Sequence, residues 1–465
     1  MKNSLLFLAT SVAAFAALPS VGPDYQRPAV ASPLAWKVAS SAEALPRGEW
    51  WKLFADPALD ALETRALTAN QDLHAAAARV EQARAAAGIA RSGYWPQLAV
   101  APSVTRERTS GTTENVAPDP LTTAYRAPLV ASWELDLVGR VRRLGESARA
   151  DADAAAATFE SVRLALTAEV AATYFSLRGF DHELALVRDT AALRRRALDL
   201  FNARLKSGAA GELDVARAET ELAVAEADAA ALANRRAALQ TALAVLVGVS
   251  AAEFDVAAVA GAAALPPVIP AGLPAELLER RPDIAAAERA LAAANARIGV
   301  AKAAFFPAIS LTGGAGFASG DFDRLFNSDS RAWSIGPGLY LPIFQGGRNR
   351  ANLARSRAAY DESVALFRQR VLVAFREVQD ALTATHLLAE QSAAQTRALV
   401  SARRAVALAQ TRYDAGYVSY LEVIDAQRTS LATERAGAQL TALRLNTGVA
   451  LIKALGGGWS VTPSS

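Results

Sequence analysis

The sequence has no cysteine, one methionine and three histidines among 465 residues. Without cysteine there is no disulfide framework, no thiolate metal site and no cysteine nucleophile. His74, His182 and His386 are scattered along the chain, which leaves little for a zinc site or a catalytic triad. Charged residues make up 20% of the chain and are interspersed, with a net charge of +3, so the sequence carries no nucleic-acid footprint. No HExxH, Walker loop or GxSxG occurs, and Gly314-Ala315-Gly316 with Gly320 misses the dinucleotide spacing. Nothing singles out a catalytic pair among the 46 acidic residues. No catalytic residue, cofactor or metal is expected.

Long apolar runs are also missing after the first residues, so no later segment reaches the ~18 residues of a membrane-spanning helix. Residues 1–18 combine Lys2, the apolar run Leu5 to Ala17 and Ala14-Phe15-Ala16, and are followed by Pro19, Gly22 and Pro23. This pattern predicts an export signal.

What is present is a duplication. Asp72, Gly88 and Pro96 recur 211 residues later as Asp283, Gly299 and Pro307. Farther on the offset is 208: Glu169-Val170, Arg204, Gly208, Leu213, Val215 and Glu226 match Glu377-Val378, Arg412, Gly416, Leu421, Val423 and Glu434. Glycine and proline agree as well as alanine, so composition alone does not explain the match.

Each half opens with an alanine-rich helical stretch, 57–92 and 275–303. Trp95-Pro96 and Phe306-Pro307 end these helices. A very long helical tract closes each half, since no proline occurs between Pro128 and Pro266 or between Pro342 and Pro463. At 1.5 Å per residue, Val141 to Leu205 alone would be on the order of 100 Å long. The runs Arg194-Arg195-Arg196 and Arg403-Arg404 read as solvated helix faces. The expected layout is a signal at 1–18, an N-terminal extended segment at 19–56, a first repeat at 57–247, a linker at 248–274, a second repeat at 275–455 and a tail at 456–465. The helical hairpins turn near 208 and 416.

Between the helices lie alternating segments, about 95–138 and 305–345. Tyr125, Ala127, Leu129, Ala131, Trp133 and Leu135 share one parity, as do Trp333, Ile335, Pro337, Leu339 and Leu341, with Ser334, Gly336, Gly338 and Tyr340 between the latter. Leu98, Val100, Pro102 and Val104 repeat the pattern, as do Ile309, Leu311, Ala315 and Phe317. That predicts two hairpins of membrane-type strands. An ordinary sandwich sheet would show the same alternation, but no second layer is present. Four strands cannot close a membrane barrel, so several chains would have to contribute.

The chain resembles the outer membrane efflux proteins of the TolC type, in their NodT or RND multidrug-pump branch. The stretches that carry the resemblance are Gly22-Pro23-Asp24-Tyr25-Gln26-Arg27-Pro28, Trp50-Trp51-Lys52-Leu53-Phe54 with Asp56-Pro57, Trp133 to Arg140, Arg280-Arg281-Pro282-Asp283-Ile284, and Pro342-Ile343-Phe344 with Gly346-Gly347-Arg348. The resemblance implies a mostly α fold with membrane β-structure: a homotrimer whose four strands per chain form a 12-stranded outer-membrane barrel, continued by an α-helical barrel in the periplasm. It implies a passive duct partnered by a periplasmic adaptor, an inner-membrane RND-type pump and outer-membrane lipid. Such relatives usually carry a lipidated cysteine before the Gly-Pro-Asp-Tyr stretch; with no cysteine, no lipid anchor is expected. A type I protein-secretion duct, and a periplasmic coiled-coil scaffold without a pore, are the competing readings.

The same resemblance places function at the helical turns. Leu205, Gly208, Arg412 and Gly416 would form the adaptor-docking tip. Leu421, Asp425 and Arg428 share one helical face, and Arg217 stands where the second half has Asp425. In the family this face lines the closed entrance, where threefold symmetry makes a ring of carboxylates. Tyr413 and Asp214 would hold one hairpin against the other through a phenol-carboxylate hydrogen bond, with Arg217 and Asp425 as a second latch.

Overall fold

A computed structural model describes residues 20–37, 48–110, 112, 121–259, 266–272 and 274–459. The expected signal, part of the N-terminal extended segment, most of the first hairpin tip, part of the linker and the end of the tail lie outside the described residues. Two units are formed, the first from described residues within Met1–Ala29, Arg79–Ala156 and Ala286–Arg368, the second from those within Val30–Ala78, Ala157–Ala285 and Gln369–Ser465.

The first unit contains an antiparallel sheet of β1 (Gln97–Val100), β2 (Ser103–Arg108), β3 (Leu121–Leu135), β4 (Ala308–Ser319) and β5 (Arg331–Tyr340). β1 and β2 keep one register against β3 and are a single strand interrupted at Ala101-Pro102. Among the described residues the sheet is therefore four strands wide, in the order β1/β2, β3, β4, β5, with both outer edges open. The β3–β4 pairing joins the two hairpins into one sheet. Pro128 sits inside β3 opposite Gly316, where a Cβ would lie 2.3 Å from the Ala127 carbonyl oxygen. Only glycine fits beside that proline.

Register decides which face is apolar. Leu98, Ala131, Gly313 and Ile335 form one cross-strand row, and Val100, Leu129, Ala315 and Trp333 form another on the same face. The intervening rows, Gln97–Ser132–Thr312–Gly336 and Ala99–Val130–Gly314–Ser334, point the other way. Trp333 and Ile335 are 79% and 69% exposed, so this apolar face is uncovered in the single chain. Among the described residues no helix is long and apolar enough to cross a membrane.

The Gly-Pro-Asp-Tyr stretch is pinned within the same unit. The Val21 N–H donates to the Val138 carbonyl at 2.9 Å, Asn295 donates to the Pro23 carbonyl at 2.9 Å, and Asp24 pairs with Arg143 at 2.7 Å. Gly22, at φ +109°, approaches so closely that a Cβ would lie 2.5 Å from the Gly299 Cα. The Tyr25 phenol, pushed up to about 12 by burial and by Glu288, stays neutral.

The helices are α1 (Pro57–Ala69), α2 (Gln71–Ser92), α3 (Arg140–Lys206), α4 (Glu212–Leu246), α5 (Leu277–Arg280), α6 (Pro282–Ala303), α7 (Arg348–Asp414) and α8 (Tyr420–Ala454). α3 and α7 each have 67 residues, and α4 and α8 each have 35. The expected continuous helices at 57–92 and 275–303 are each broken by one residue. Asn70 breaks the first: its Oδ1 accepts from the Leu73 N–H at 2.9 Å, capping α2. Arg281 breaks the second because Pro282 holds it extended, at φ −102° and ψ 121°.

In the second unit each break docks on a long helix in the same way. Asn70 Nδ2 donates to the Leu246 carbonyl at 2.9 Å, and Arg281 Nη1 to the Ala454 carbonyl at 3.0 Å. Gly248 and Gly456, both at positive φ, lie against the ends of α1 and α5, where a Cβ would meet the Ala69 or Arg280 carbonyl oxygen at 2.2 or 2.0 Å. Arg281 also bonds Asp283 at 2.8 Å and Glu377 at 2.6 Å. Burial alone would raise the Asp283 carboxyl; the Arg281 hydrogen bonds outweigh it and hold it below its ordinary value.

An aromatic cluster explains the Trp-Trp stretch. Trp50, Trp51, Phe54 and Leu59 pack with Ala168, Ala171, Tyr174 and Phe175 of α3 and Leu445, Val449 and Ile452 of α8. Asp56 serves twice: Oδ1 caps α1 through the Ala58 N–H at 2.9 Å, and Oδ2 accepts from the Tyr174 hydroxyl at 2.8 Å.

Candidate functional site

All the site residues expected at the turns belong to the second unit. α3 and α7 end in matching caps. Gly208 N–H donates to the Leu205 carbonyl and Ala209 N–H to the Arg204 carbonyl, at 3.0 and 2.8 Å. In the other hairpin Gly416 N–H reaches Tyr413 and Tyr417 N–H reaches Arg412, both at 2.9 Å. This is the Schellman arrangement, and its left-handed residue is glycine in each case, at φ +73° and +76°. Nothing lies within 4 Å of a Cβ built on either glycine, so backbone sign, not space, requires glycine there.

Leu205 is half-buried and packs with Leu198, Ala210 and Tyr420 against buried Phe201, Val215 and Ala218. Arg412 is exposed beside the opposite turn.

The Tyr413–Asp214 hydrogen bond expected from the sequence is not formed. Tyr413 instead accepts from Arg204 Nη1 at 2.6 Å, and the Arg204 guanidinium lies 5.9 Å from its ring centroid. Asp214 occupies the third position of α4 and accepts from the Gly211 N–H at 3.4 Å. Its carboxylate serves the orphan donors of the helix start, a local demand that outcompetes a partner on another arm. The Tyr413 ring also packs, tilted by 58°, against Tyr420 at 5.3 Å, and Tyr420 contacts Phe201 at 4.7 Å. Arg204 was visible in the sequence only as the counterpart of Arg412.

Arg217 and Asp425 are both exposed, and neither side chain pairs with a described residue. The second latch is thus not formed within one chain. Leu421, one turn before Asp425, is 50% exposed. Arg428 does not turn back to Asp425; it pairs with Glu221 of α4.

That pairing exposes a residue set that sequence reasoning missed. Glu221 is buried and also binds Arg194, whose Nη1 is 2.7 Å from the Glu221 carboxylate and donates to its backbone carbonyl at 2.7 Å. The Arg194 run was expected to be solvated. Arg194 itself is buried, and burial together with Arg428 lowers its pKa from the ordinary arginine value. Arg195 does face solvent and pairs with Glu226, as Arg403 pairs with Glu434 at 2.8 Å. A signal was available: Glu221 falls at the three- and four-residue spacing shared by Ala218, Leu222 and Ala225, so it had to point inward.

Among the described residues no three carboxylates or imidazoles converge as a metal site. The chemistry of the tip is ionic and aromatic contact between hairpins, suited to holding or releasing a conformation.

Comparison with known proteins bears on what such a tip is for. The sequence profile of the family described as "Outer membrane efflux protein" matches residues 62–249 and 273–457. The solvent efflux pump outer membrane protein SrpC of Pseudomonas putida is 39% identical, over 95% of this chain and 96% of its own length. The cation efflux system protein CusC of Escherichia coli O6:H1 is 35% identical, over 95% and 96% respectively. The solved structure of the outer-membrane channel OprN is 34% identical and superposes with a TM-score of 0.86, covering 94% of this chain and 99% of that one.

Proposed function

The chain belongs to the outer membrane efflux protein family, and from that premise we propose that three copies assemble into one pore. It is an outer-membrane channel for efflux. The sheet supports the trimer most directly. Its two open edges would each leave a row of unpaired N–H and C=O groups in lipid, at several kcal/mol per group. Pairing β5 of one copy with β1/β2 of the next removes both edges. Two copies would give eight strands, whose interior side chains fill; three give twelve, with room for a lumen. The apolar face would then meet lipid, and the rows of glycine, serine and threonine would face the lumen.

The matching helices and caps support a duplicated chain parsed as 57–247 and 275–455, with the long helices forming a periplasmic tube. No lipid anchor is needed if the barrel holds the chain. The turns at Gly208 and Gly416, with Leu205 and Arg412, are proposed to dock a periplasmic adaptor coupled to an inner-membrane RND-type pump. Leu421 and Asp425 would line the closed entrance, with Arg217, Asp214, Tyr413 and Arg428 on the surrounding arms. Because the chain spans relatives named for solvent and for cation efflux, we assign cargo choice to the pump. A pore-free scaffold would not require an apolar sheet face in both halves.

The test is the mass and conductance of the detergent-extracted protein. A complex of three chains that conducts in a planar bilayer is expected. A monodisperse single chain retaining its full β content would overturn the reading.

A further inference from the structure

The loop end of the sheet carries a chemistry that an apolar band does not explain. On β2, Arg106 and Arg108 follow Val104 at two-residue steps, opposite Thr123 and Leu121 of β3. On β5, Arg331 lies opposite Phe317 and two residues before Trp333. Strand alternation therefore puts all three guanidiniums on the apolar face, continuing toward the loops the lines of Val104 on β2 and Trp333 on β5. At the helix end of that face the corresponding residues are Leu98, Leu135, Ile309 and Leu339, and none is charged.

The 320–330 loop folds back over the same face. Phe322 contacts the Tyr125 ring and Phe326 the Phe317 ring, each at 5.5 Å, while Leu325 between them is buried. Phe322 and Phe326 are nonetheless 67% exposed. All three arginines are exposed, and among the described residues none has an ion-pair partner; Asp321, Asp323 and Asp329 of the loop do not neutralise them. Unpaired guanidiniums beside exposed rings match a boundary where phosphate lies directly above acyl chain.

We propose that this end of the sheet binds the phosphate-bearing head groups of the outer-leaflet glycolipid, through Arg106, Arg108 and Arg331, with Phe322 and Phe326 against the upper acyl chain. The proposal rests on the outer-membrane barrel argued above. Closing that barrel brings the edge strand carrying Arg331 beside the one carrying Arg106 and Arg108, at a spacing of about 4.8 Å. Each subunit boundary would then carry the cations of both edges, Arg331 on one strand and Arg106 with Arg108 on its neighbour.

Phosphorylated glycolipid that co-purifies with the full-length channel in mild detergent can be counted by native mass spectrometry. The triple variant Arg106→Gln, Arg108→Gln, Arg331→Gln is expected to retain about tenfold less. Arg126→Gln, on the opposite face beside Ser103 and Ala318, should retain the wild-type amount. In a second arm, wild-type channel in phosphatidylcholine vesicles is heated with added glycolipid, intact or enzymatically dephosphorylated, and only the intact form should protect it. Equal retention by the triple variant, or equal protection by both glycolipids, would overturn the proposal. If the triple variant does not assemble, the vesicle arm decides. Failure of the barrel reading is separate: the wild type would then not conduct, whereas failure of lipid binding leaves a conducting channel.

Discussion

The Tyr413 hydroxyl accepts a hydrogen bond from Arg204 at 2.6 Å, tying the last turn of α7 to the last turn of α3. Both arms end at glycine caps a few residues on, so this bond sits where the two hairpins would have to part for the tip to open. A charged donor on a phenol is worth roughly 1.5 kcal/mol, and less at a wet surface. Tyr413→Phe should therefore loosen the tip modestly. Combined with Asp425→Ala, which removes the exposed acid facing the proposed lumen, it should raise single-channel conductance well above wild type. Arg204→Gln should reproduce the Tyr413→Phe effect and Asp214→Asn should not, because Asp214 is engaged at the start of α4. A double variant that conducts like wild type as a trimer would assign closure to apolar packing at Leu421.

Glu221 is expected to matter more to stability than any exposed charge at the tip. Glu221→Gln leaves Arg194 buried without a counter-charge, at a cost of about 3 kcal/mol. Arg428→Ala removes a partner that is 58% exposed and should cost under about 1 kcal/mol. Thermal melts followed by helix content, and protease sensitivity near residue 208, distinguish the two. Similar losses in both variants would show that the burial of Arg194 is not the controlling term.

The positive-φ glycines should separate into two classes. At Gly208 and Gly416 an alanine meets open space and pays only for left-handed backbone, about 1–2 kcal/mol. At Gly248 and Gly456 it also drives a Cβ into the Ala69 or Arg280 carbonyl, so expression and melting temperature should fall much further. A bulky residue at Gly208 and Gly416 together is expected to weaken adaptor pull-down while trimer assembly persists. Unchanged docking with both substitutions would remove these turns from the contact.

Much of this architecture was legible because its signals are local. Proline and glycine mark the helix ends, and the alternation around Trp133 and Trp333 gives strands whose apolar face can be read from polarity alone. The β3–β4 pairing was not legible, since it joins segments far apart in the chain, and the fit of Gly316 against Pro128 shows only once the two are side by side. The tip partners failed for a related reason. Sequence places Tyr413, Asp214 and Arg204 at similar distances from their turns, but it does not show that the start of α4 claims the Asp214 carboxylate and leaves the phenol to Arg204. Likewise Arg194 looks like its neighbour Arg195 until the helix phase assigns one inward and the other outward.

Glu63 supplies a pH test that none of these contacts share. It lies on α1 with 0% exposure, and among the described residues neither carboxyl oxygen has a hydrogen-bond partner. Burial, then the nearby Asp60, pushes its pKa from 4.5 to about 9. The folded chain therefore holds this proton while the unfolded chain has released it. Because the folded value is the higher one, the stability associated with the proton is fully present below pH 4.5 and is lost as pH rises toward 9. At neutral pH the penalty is of the order of 3 kcal/mol. Glu63→Gln keeps the shape and removes the titration, so its melting temperature should exceed the wild type's by a margin that widens from pH 5 to pH 9. Replacement by leucine should share the flattened profile. A wild-type profile that runs parallel to that of the glutamine variant over this range would mean that the folded chain does not hold the Glu63 proton, and burial would then not control this group.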